Sequence, residues 1–305
     1  MDLRIVFMGT PDFAVPSLDI LVKNGYNVVG VVTATDKYGG RGNKKLIESA
    51  VKKYAVAQGI PVLQPKNLKA PEFIDELCAL NANLQIVVAF RMLPEVVWNM
   101  PAIGTFNLHG SLLPRYRGAA PINWAVIRGD QETGVTTFFL KHKIDTGDMI
   151  LQKRLPISEN ETAGEVHDRM MELGAAAVLD TVQLIEQDAV ELQPQDDSQV
   201  TKAPKIFHDT CAIDFTQPTE SVHNFIRGLS PYPTAWTTLH DKKLKIFQTR
   251  KELVEHDLTP GTFLPIDKKQ LKIATSDGFV EVLELQLAGK KRMTTQPFLN
   301  GYQEF

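Results

Sequence analysis

Short apolar runs alternate with amphipathic stretches through the first half of the chain. Leu3–Met8 is mostly apolar and is broken by Gly9-Thr10-Pro11-Asp12. Phe13, Leu18, Leu21 and Val22 then recur at helical spacing as far as Asn24-Gly25. Val28–Thr33 is a second, β-branched run. A strand, a tight turn, a helix and a strand make a βαβ unit, which implies a parallel sheet with helices on its faces. The pattern repeats: Lys45–Gln58 predicts a helix, Ile60–Leu63 a short strand, Pro71–Leu80 a helix, Gln85–Ala89 a buried strand and Pro94–Trp98 a brief helical segment. Thr105–His109 supplies the next strand. The expected fold is α/β, an open doubly wound, Rossmann-like sheet whose ligands sit at the carboxyl ends of strands.

Ile122–Ile127 reads as helical, Gly134–Leu140 and Met149–Leu155 as strands, and Lys141–Asp148 as the polar turn between them. Thr162–Ile185 is a long amphipathic helix, with Glu165 three residues after Thr162 as a capping box. Asp188–Ser198 is acidic and lacks an apolar stripe, so a linker is expected over 189–210, after a first domain of residues 1–188. Residues 211–305 change character. Beyond a helical segment near Thr219–Arg227 come five short alternating runs, Ala235–Leu239, Lys243–Gln248, Gly261–Leu264, Leu271–Ala274 and Val280–Leu285, separated by turn residues. They predict a small antiparallel β-barrel of the OB type.

Composition narrows the class only modestly. The 305 residues are 43% hydrophobic and 23% charged, as expected of a globular protein with room for two domains. Cys78 and Cys211 lie far apart and build neither a disulfide framework nor a zinc-ligand spacing. No signal-peptide pattern and no apolar run of roughly 18 residues is present, so a cytoplasmic protein without membrane partners is expected. The net charge of −3 argues against general nucleic-acid binding but leaves room for a local basic patch. Thr33–Lys45 holds one: Lys37, Arg41, Lys44 and Lys45 stand against Asp36 among Gly39, Gly40 and Gly42. Such a loop fits either a solvated surface or the ordering of chain around a phosphate backbone.

The candidate chemistry lies in Thr105–Pro121. By the two-residue period, Asn107 and His109 share one strand face, opposite Phe106 and Leu108. Gly110 ends the strand, and Ser111, Pro114, Gly118 and Pro121 shape an irregular loop. From these residues alone, a chemical site and a polar strand face bonded to a neighbouring loop fit equally well. Asp145 and Asp148 flank Gly147 in the later turn, which reads either as a plain turn with Asx bonding or as a carboxylate that orients an imidazole. Only the first glycine of Gly-x-Gly-x-x-Gly is present after the first strand, which argues against a nicotinamide cofactor. No Ser or Cys elbow, His-x-x-x-His pair or acidic metal cluster appears, so no metal is expected. An Asn, a His and an Asp without a protein nucleophile suit direct transfer between two bound substrates.

Asn107-Leu-His109-Gly-Ser-Leu-Leu-Pro114 together with Asp145-Thr-Gly-Asp148 resembles the signature of the folate-dependent formyltransferases. The resemblance extends to Gly9-Thr-Pro-Asp-Phe13, Gly40-Arg-Gly42, Arg115-Tyr-Arg-Gly-Ala-Ala-Pro121, Glu132-Thr-Gly-Val135, Pro231-Tyr-Pro233, Pro260-Gly-Thr262 and Ala288-Gly-Lys-Lys291, and so covers nearly the whole chain. It implies 10-formyltetrahydrofolate as co-substrate and initiator methionyl-tRNA as acceptor. The family's catalytic residues fall on Asn107, His109 and Asp145. Its folate contacts fall on Ser111, Leu112, Leu113 and Pro114, with Val87, Val88, Ala89, Phe90 and Arg91 around the pteridine. Its tRNA grip falls on the loop of Lys37, Arg41, Lys44 and Lys45, with a second contact from the C-terminal barrel; a monomer is the expected state. The chain departs from the family pattern at Tyr38, at Ser49-Ala50 and over Ala203–Ala212. Amino-sugar N-formyltransferases share the central block, but the Gly-Arg-Gly loop and the Ala-Gly-Lys-Lys segment count against them. The glycinamide ribonucleotide formyltransferases resemble only the first two-thirds, and the intact Asn107, His109 and Asp145 count against a non-catalytic binding protein.

Overall fold

The computed structural model of the chain describes residues 1–39, 42 and 45–302. Two compact units divide them: residues 1–117, 134–155 and 168–202 form one, and residues 118–133, 156–167 and 203 onward form the other. Among the described residues no helix is long and apolar enough to cross a membrane.

The first elements follow the hydrophobic pattern: β1 (Arg4–Gly9), α1 (Val15–Lys23) and β2 (Asn27–Val32). Next come β3 (Lys37–Gly39), β4 (Lys45–Ile47), α2 (Ala50–Ala57), β5 (Val62–Leu63), α3 (Pro71–Ala79), β6 (Leu84–Val88), α4 (Glu95–Trp98) and β7 (Gly104–His109). After the short β8 (Arg117–Gly118) the chain makes α5 (Pro121–Ile127), β9 (Glu132–Phe139), β10 (Met149–Pro156), α6 (Ala163–Glu186) and the short β11 (Lys202–Ala203). The large sheet has the order β10-β9-β7-β6-β1-β2-β5. The strands from β7 across to β5 run parallel, as the βαβ pattern requires. β9 joins β7 antiparallel, because the loop after His109 returns the chain without a full crossover to the same end. Val6, Met8, Val32, Phe73, Leu77 and Val87 pack one face of this sheet.

Two local expectations are corrected. The helix expected over Lys45–Gln58 begins only at Ala50, where the Ser49 hydroxyl accepts the Lys52 N–H at 3.0 Å and acts as N-cap. Lys45–Ile47 is instead a strand paired antiparallel with Lys37–Gly39, Tyr38 opposite Leu46. Lys37–Gly39 of the basic stretch therefore forms one strand of a hairpin. The capping box of α6 forms as expected: the Glu165 carboxylate accepts the Thr162 N–H at 2.8 Å and the Glu165 N–H reaches the Thr162 hydroxyl at 3.3 Å.

In the second unit, α7 (Thr219–Gly228) precedes β12 (Ala235–Leu239), β13 (Lys242–Glu252), β14 (Phe263–Ile266), β15 (Gln270–Ala274), β16 (Phe279–Leu287), β17 (Met293–Thr294) and α8 (Thr295–Gly301). The five alternating runs become one antiparallel sheet of order β12-β13-β16-β15-β14, with β17 added against β16. Val222, Ile226, Leu244, Ile246, Val280 and Val282 fill its core.

His223 of α7 is buried in this core, its Nδ1 2.9 Å from the Thr249 hydroxyl. Burial lowers its pKa to about 4, with Arg227 and then Lys251 adding to the shift against the opposing charge of Glu220. The unfolded imidazole, near 6.5, takes up a proton first as pH falls. This group's contribution is therefore intact above 6.5 and lost progressively down to about 4. Urea unfolding is expected to lose about 2 kcal/mol between pH 7 and pH 5 through His223 alone. His223→Gln should flatten that dependence by the same amount, and an unchanged slope would refute the assignment.

Candidate active site

The parallel strands β1, β6 and β7 end side by side, Gly9 beside Val88 and Val88 beside Leu108. This carboxyl edge is where an open α/β sheet presents ligand-binding loops, because the chain direction around the sheet changes beside β1. Ala89, the first residue beyond β6, is exposed and has φ +47°. A left-handed alanine costs about 1 kcal/mol or more, and such strain collects at ligand-facing turns.

On β7 the expected alternation holds. Phe106 and Leu108 are buried, and Asn107 and His109 lie on the opposite side. Thr137, beside Leu108, bonds the Thr181 hydroxyl of α6 at 2.7 Å, so the helix covers the Leu108 side and leaves the other to the site. Among the described residues no group hydrogen-bonds the Asn107 amide, which is half-buried.

His109 is 6% exposed, and its Nε2 lies 2.9 Å from the Tyr116 carbonyl. A carbonyl oxygen only accepts, so Nε2 carries the proton and Nδ1 is the basic atom of the neutral ring. Nδ1 faces the Asp145 carboxylate at 3.9 Å, an ion-pair distance rather than a hydrogen bond. The ring is therefore oriented by Tyr116, a residue the sequence did not single out, while Asp145 supplies charge.

Tyr116 itself is held in an unusual conformation. It is buried with φ +61°, a left-handed backbone rare for a bulky residue. The Thr201 hydroxyl accepts its N–H at 2.8 Å, and the Thr201 carbonyl accepts the Arg117 N–H at 2.9 Å. Thr201 comes from the polar stretch expected to be linker, where no periodicity could mark it.

The loop expected to meet folate is tightly braced. The Ser111 hydroxyl donates to the Arg115 carbonyl at 2.6 Å, so it closes the loop instead of projecting from it. Thr136 of β9 donates to the Ser111 carbonyl at 2.7 Å and accepts the Leu113 N–H at 3.0 Å; Gln152 of β10 donates to the Leu113 carbonyl at 2.8 Å. Ser111, Leu113 and Pro114 are buried, and Leu112 is the partly exposed member. Val87 and Val88 are buried in β6, which leaves Ala89, Phe90 and Arg91 as the accessible part of that segment. The Arg91 guanidinium donates to the Lys66 carbonyl at 2.9 Å and to the Pro65 carbonyl, fixing the loop after β6 to its neighbour.

Lys37 and Lys45 are exposed on the β3–β4 hairpin; Arg41 and Lys44 lie outside the described residues. Among the described residues no group of three or more His, Cys, Asp or Glu gathers as metal ligands would.

Residues 3–182 match the formyl transferase family, and residues 205–303 match its C-terminal domain. With a Rossmann-like sheet followed by a second sheet domain, the chain is thus a formyltransferase. The chain is 56% identical over 313 residues to a methionyl-tRNA formyltransferase of Parabacteroides distasonis, covering 99% of this chain and 97% of that protein. The chain belongs to the methionyl-tRNA formyltransferase family. Among solved structures, a sugar 3N-formyl transferase, WlaRD, studied with dTDP and 5-N-formyl-THF, shares the fold at TM-score 0.68 and 20% identity, over 95% of this chain and 100% of that one. A methionyl-tRNA formyltransferase from Clostridium thermocellum does so at TM-score 0.58 and 16% identity, over 82% and 94%.

Proposed function

We propose that the protein transfers the formyl group of 10-formyltetrahydrofolate to the α-amino group of methionine carried on initiator tRNA. The observation that carries this is the 56% identity over 99% of the chain, and the approach of His109 to Asp145 at 3.9 Å supports it. The low-identity likeness to a sugar-acting enzyme concerns the fold alone.

The chemistry follows from the site. A free α-amino group titrates near about 7.7–8.0, so at neutral pH only part of it is nucleophilic. Its nitrogen attacks the formyl carbon, a C–N bond forms, and the carbonyl oxygen becomes an oxyanion. The Asn107 amide donates to that oxygen. The amine sheds a proton to Nδ1 of His109, and the resulting imidazolium is balanced by Asp145 and by the Tyr116 carbonyl. The C–N bond to the folate nitrogen then breaks, and that nitrogen takes up the proton. Holding both substrates in line supplies much of the remaining acceleration.

For folate, the accessible backbone and side chains of Ala89, Phe90, Arg91 and Leu112 are assigned the contacting role. The buried Val87, Val88, Ser111, Leu113 and Pro114 shape the wall behind them. For tRNA, Lys37 and Lys45 on the hairpin, with Arg41 and Lys44 beside them in sequence, are assigned the acceptor arm. In this scheme residues 1–188 carry catalysis, 189–210 connect, and 211–305 make a second tRNA contact.

The deciding experiment incubates the protein with 10-formyltetrahydrofolate and either methionyl initiator tRNA or an amino-sugar nucleotide. Formyl-methionyl-tRNA is the expected product, and formylation of the sugar alone would overturn the assignment. Affinity for tRNA should also fall steeply with salt. Alanine at Lys37, Arg41, Lys44 and Lys45 should reduce the slope of log K against log salt by about 0.7–0.9 for each phosphate left without its cation. An unchanged slope would remove the hairpin from the interface.

A further inference from the structure

We infer that Gln195 is a positioning residue for the Asp145 turn, an inference that rests on the catalytic reading of Asp145 given above. The turn between β9 and β10 has no apolar anchor at its tip, where Ile144 is exposed. Asp145 has φ +55°, and the segment lies across the end of β9, where the Phe139 N–H donates to the Asp148 carbonyl at 3.2 Å. Gln195 reaches it from the acidic stretch after α6. Its Nε2 donates to the Asp145 carbonyl at 2.9 Å and to the Gly147 carbonyl at 2.8 Å.

The other end of the amide is equally engaged. Oε1 accepts from Arg117 Nε at 3.0 Å and from the terminal nitrogen of the same guanidinium at 2.7 Å. These partners allow only one orientation of the amide, because a guanidinium cannot accept and a carbonyl cannot donate. Both hydrogens and both lone pairs of the side chain are used. Arg117 is anchored in turn by Asp197 at 2.8 Å, and Gln193 forms a bridge with Met149 at 2.8 and 2.9 Å, which pins the segment beside the turn. Arg117 directly follows Tyr116, whose carbonyl holds His109. One side chain thus ties the strand-end loop that orients the imidazole to the turn that carries the facing carboxylate. No helical or strand period marks Gln195, since it sits among exposed polar residues.

Gln195→Glu separates this role from bulk packing. The carboxylate keeps its size and its Arg117 partner, but presents an acceptor to two carbonyl oxygens. Gln195→Ala removes the strut altogether and leaves Arg117 with Asp197. Full-length variants are to be assayed by single-turnover formylation of methionyl-tRNA, in the wild-type and the Asp145→Asn backgrounds, with thermal melts and amide exchange of the 143–148 peptide. The expected result is a rate about 10- to 100-fold lower in the wild-type background, as for a displacement of roughly 1 Å at the reacting groups. KM for both substrates should change less than about twofold, with faster exchange confined to the turn. In the Asp145→Asn background the same substitution should cost less than about twofold, because the group it positions is already disabled.

Wild-type-like rate and exchange in a folded Gln195→Glu or Gln195→Ala protein would overturn the inference. So would equal losses in the two backgrounds, which would mark a general structural role. Failure of the unmodified protein to formylate methionyl-tRNA would instead refute the activity assigned above, and the two failures are separate readings.

Discussion

Replacing His109 with Gln is expected to slow single-turnover formylation by about 10²- to 10⁴-fold, the usual contribution of a positioned proton acceptor. Gln is chosen because its amide can still donate to the Tyr116 carbonyl, which accepts His109 Nε2–H at 2.9 Å. Alanine would take that donor away from a buried carbonyl and would mix a folding effect with a chemical one. The variant should melt close to the wild type while losing its base. Asn107→Ala removes the donor assigned to the oxyanion and should cost about 10²- to 10³-fold. Among the described residues no group bonds the Asn107 amide, so its removal leaves none of them unpaired. A folded His109→Gln protein with near-normal single-turnover rate would refute the proposed proton transfer.

Gly147→Ala is the substitution expected to do most damage to the fold of the site. A Cβ at Gly147 would lie 1.6 Å from the Phe139 carbonyl oxygen and 2.8 Å from its carbon. Both are backbone atoms of the last residue of β9, which pairs with Phe106 of β7, so neither can yield as a flexible side chain would. The turn must lift away, taking with it the two carbonyls that Gln195 holds and the carboxylate facing His109. A loss of about 3 kcal/mol or more is expected, at the upper end of overpacking effects, together with loss of formylation. Gly25→Ala is the control. It has φ +77° but nothing within 4 Å of its added Cβ, so only the left-handed strain of about 1–2 kcal/mol applies. Thermal melts that place the two variants at equal stability would show that the close approach at Gly147 is tolerated.

Much of the architecture could be read from the chain alone, because burial and periodicity coincide there. Leu3–Met8, Val28–Thr33 and Gln85–Ala89 are apolar because parallel strands are covered on both faces, and each is a strand within a residue or two. Four of the five alternating runs of the last third are strands that bury alternate or near-alternate residues, while β14 has none that is fully buried. The hairpin at 37–47 escaped because Lys45, Leu46 and Ile47 are all exposed, so no buried face imposed a pattern on them. It was the Ser49 cap, rather than any apolar rhythm, that decided where the following helix starts.

The same division runs through the site. Local sequence determined that Asn107 and His109 share a strand face and that Asp145 sits in a Gly-containing turn, since both follow from neighbours along the chain. The pairing of β7 with β9 brought the turn back to the strand end, and a pairing of side chains 36 residues apart in sequence is invisible to periodicity. Which ring nitrogen of His109 is basic depended on a carbonyl seven residues on, aimed by a left-handed Tyr116 that no composition signals. Gln195 and Thr201 entered only with the tertiary structure, because their partners are backbone atoms 48 to 85 residues away. Side chains that bond carbonyls and amides carry no hydrophobic period, so a polar stretch that reads as connector becomes the brace of the candidate site only once the chain has folded.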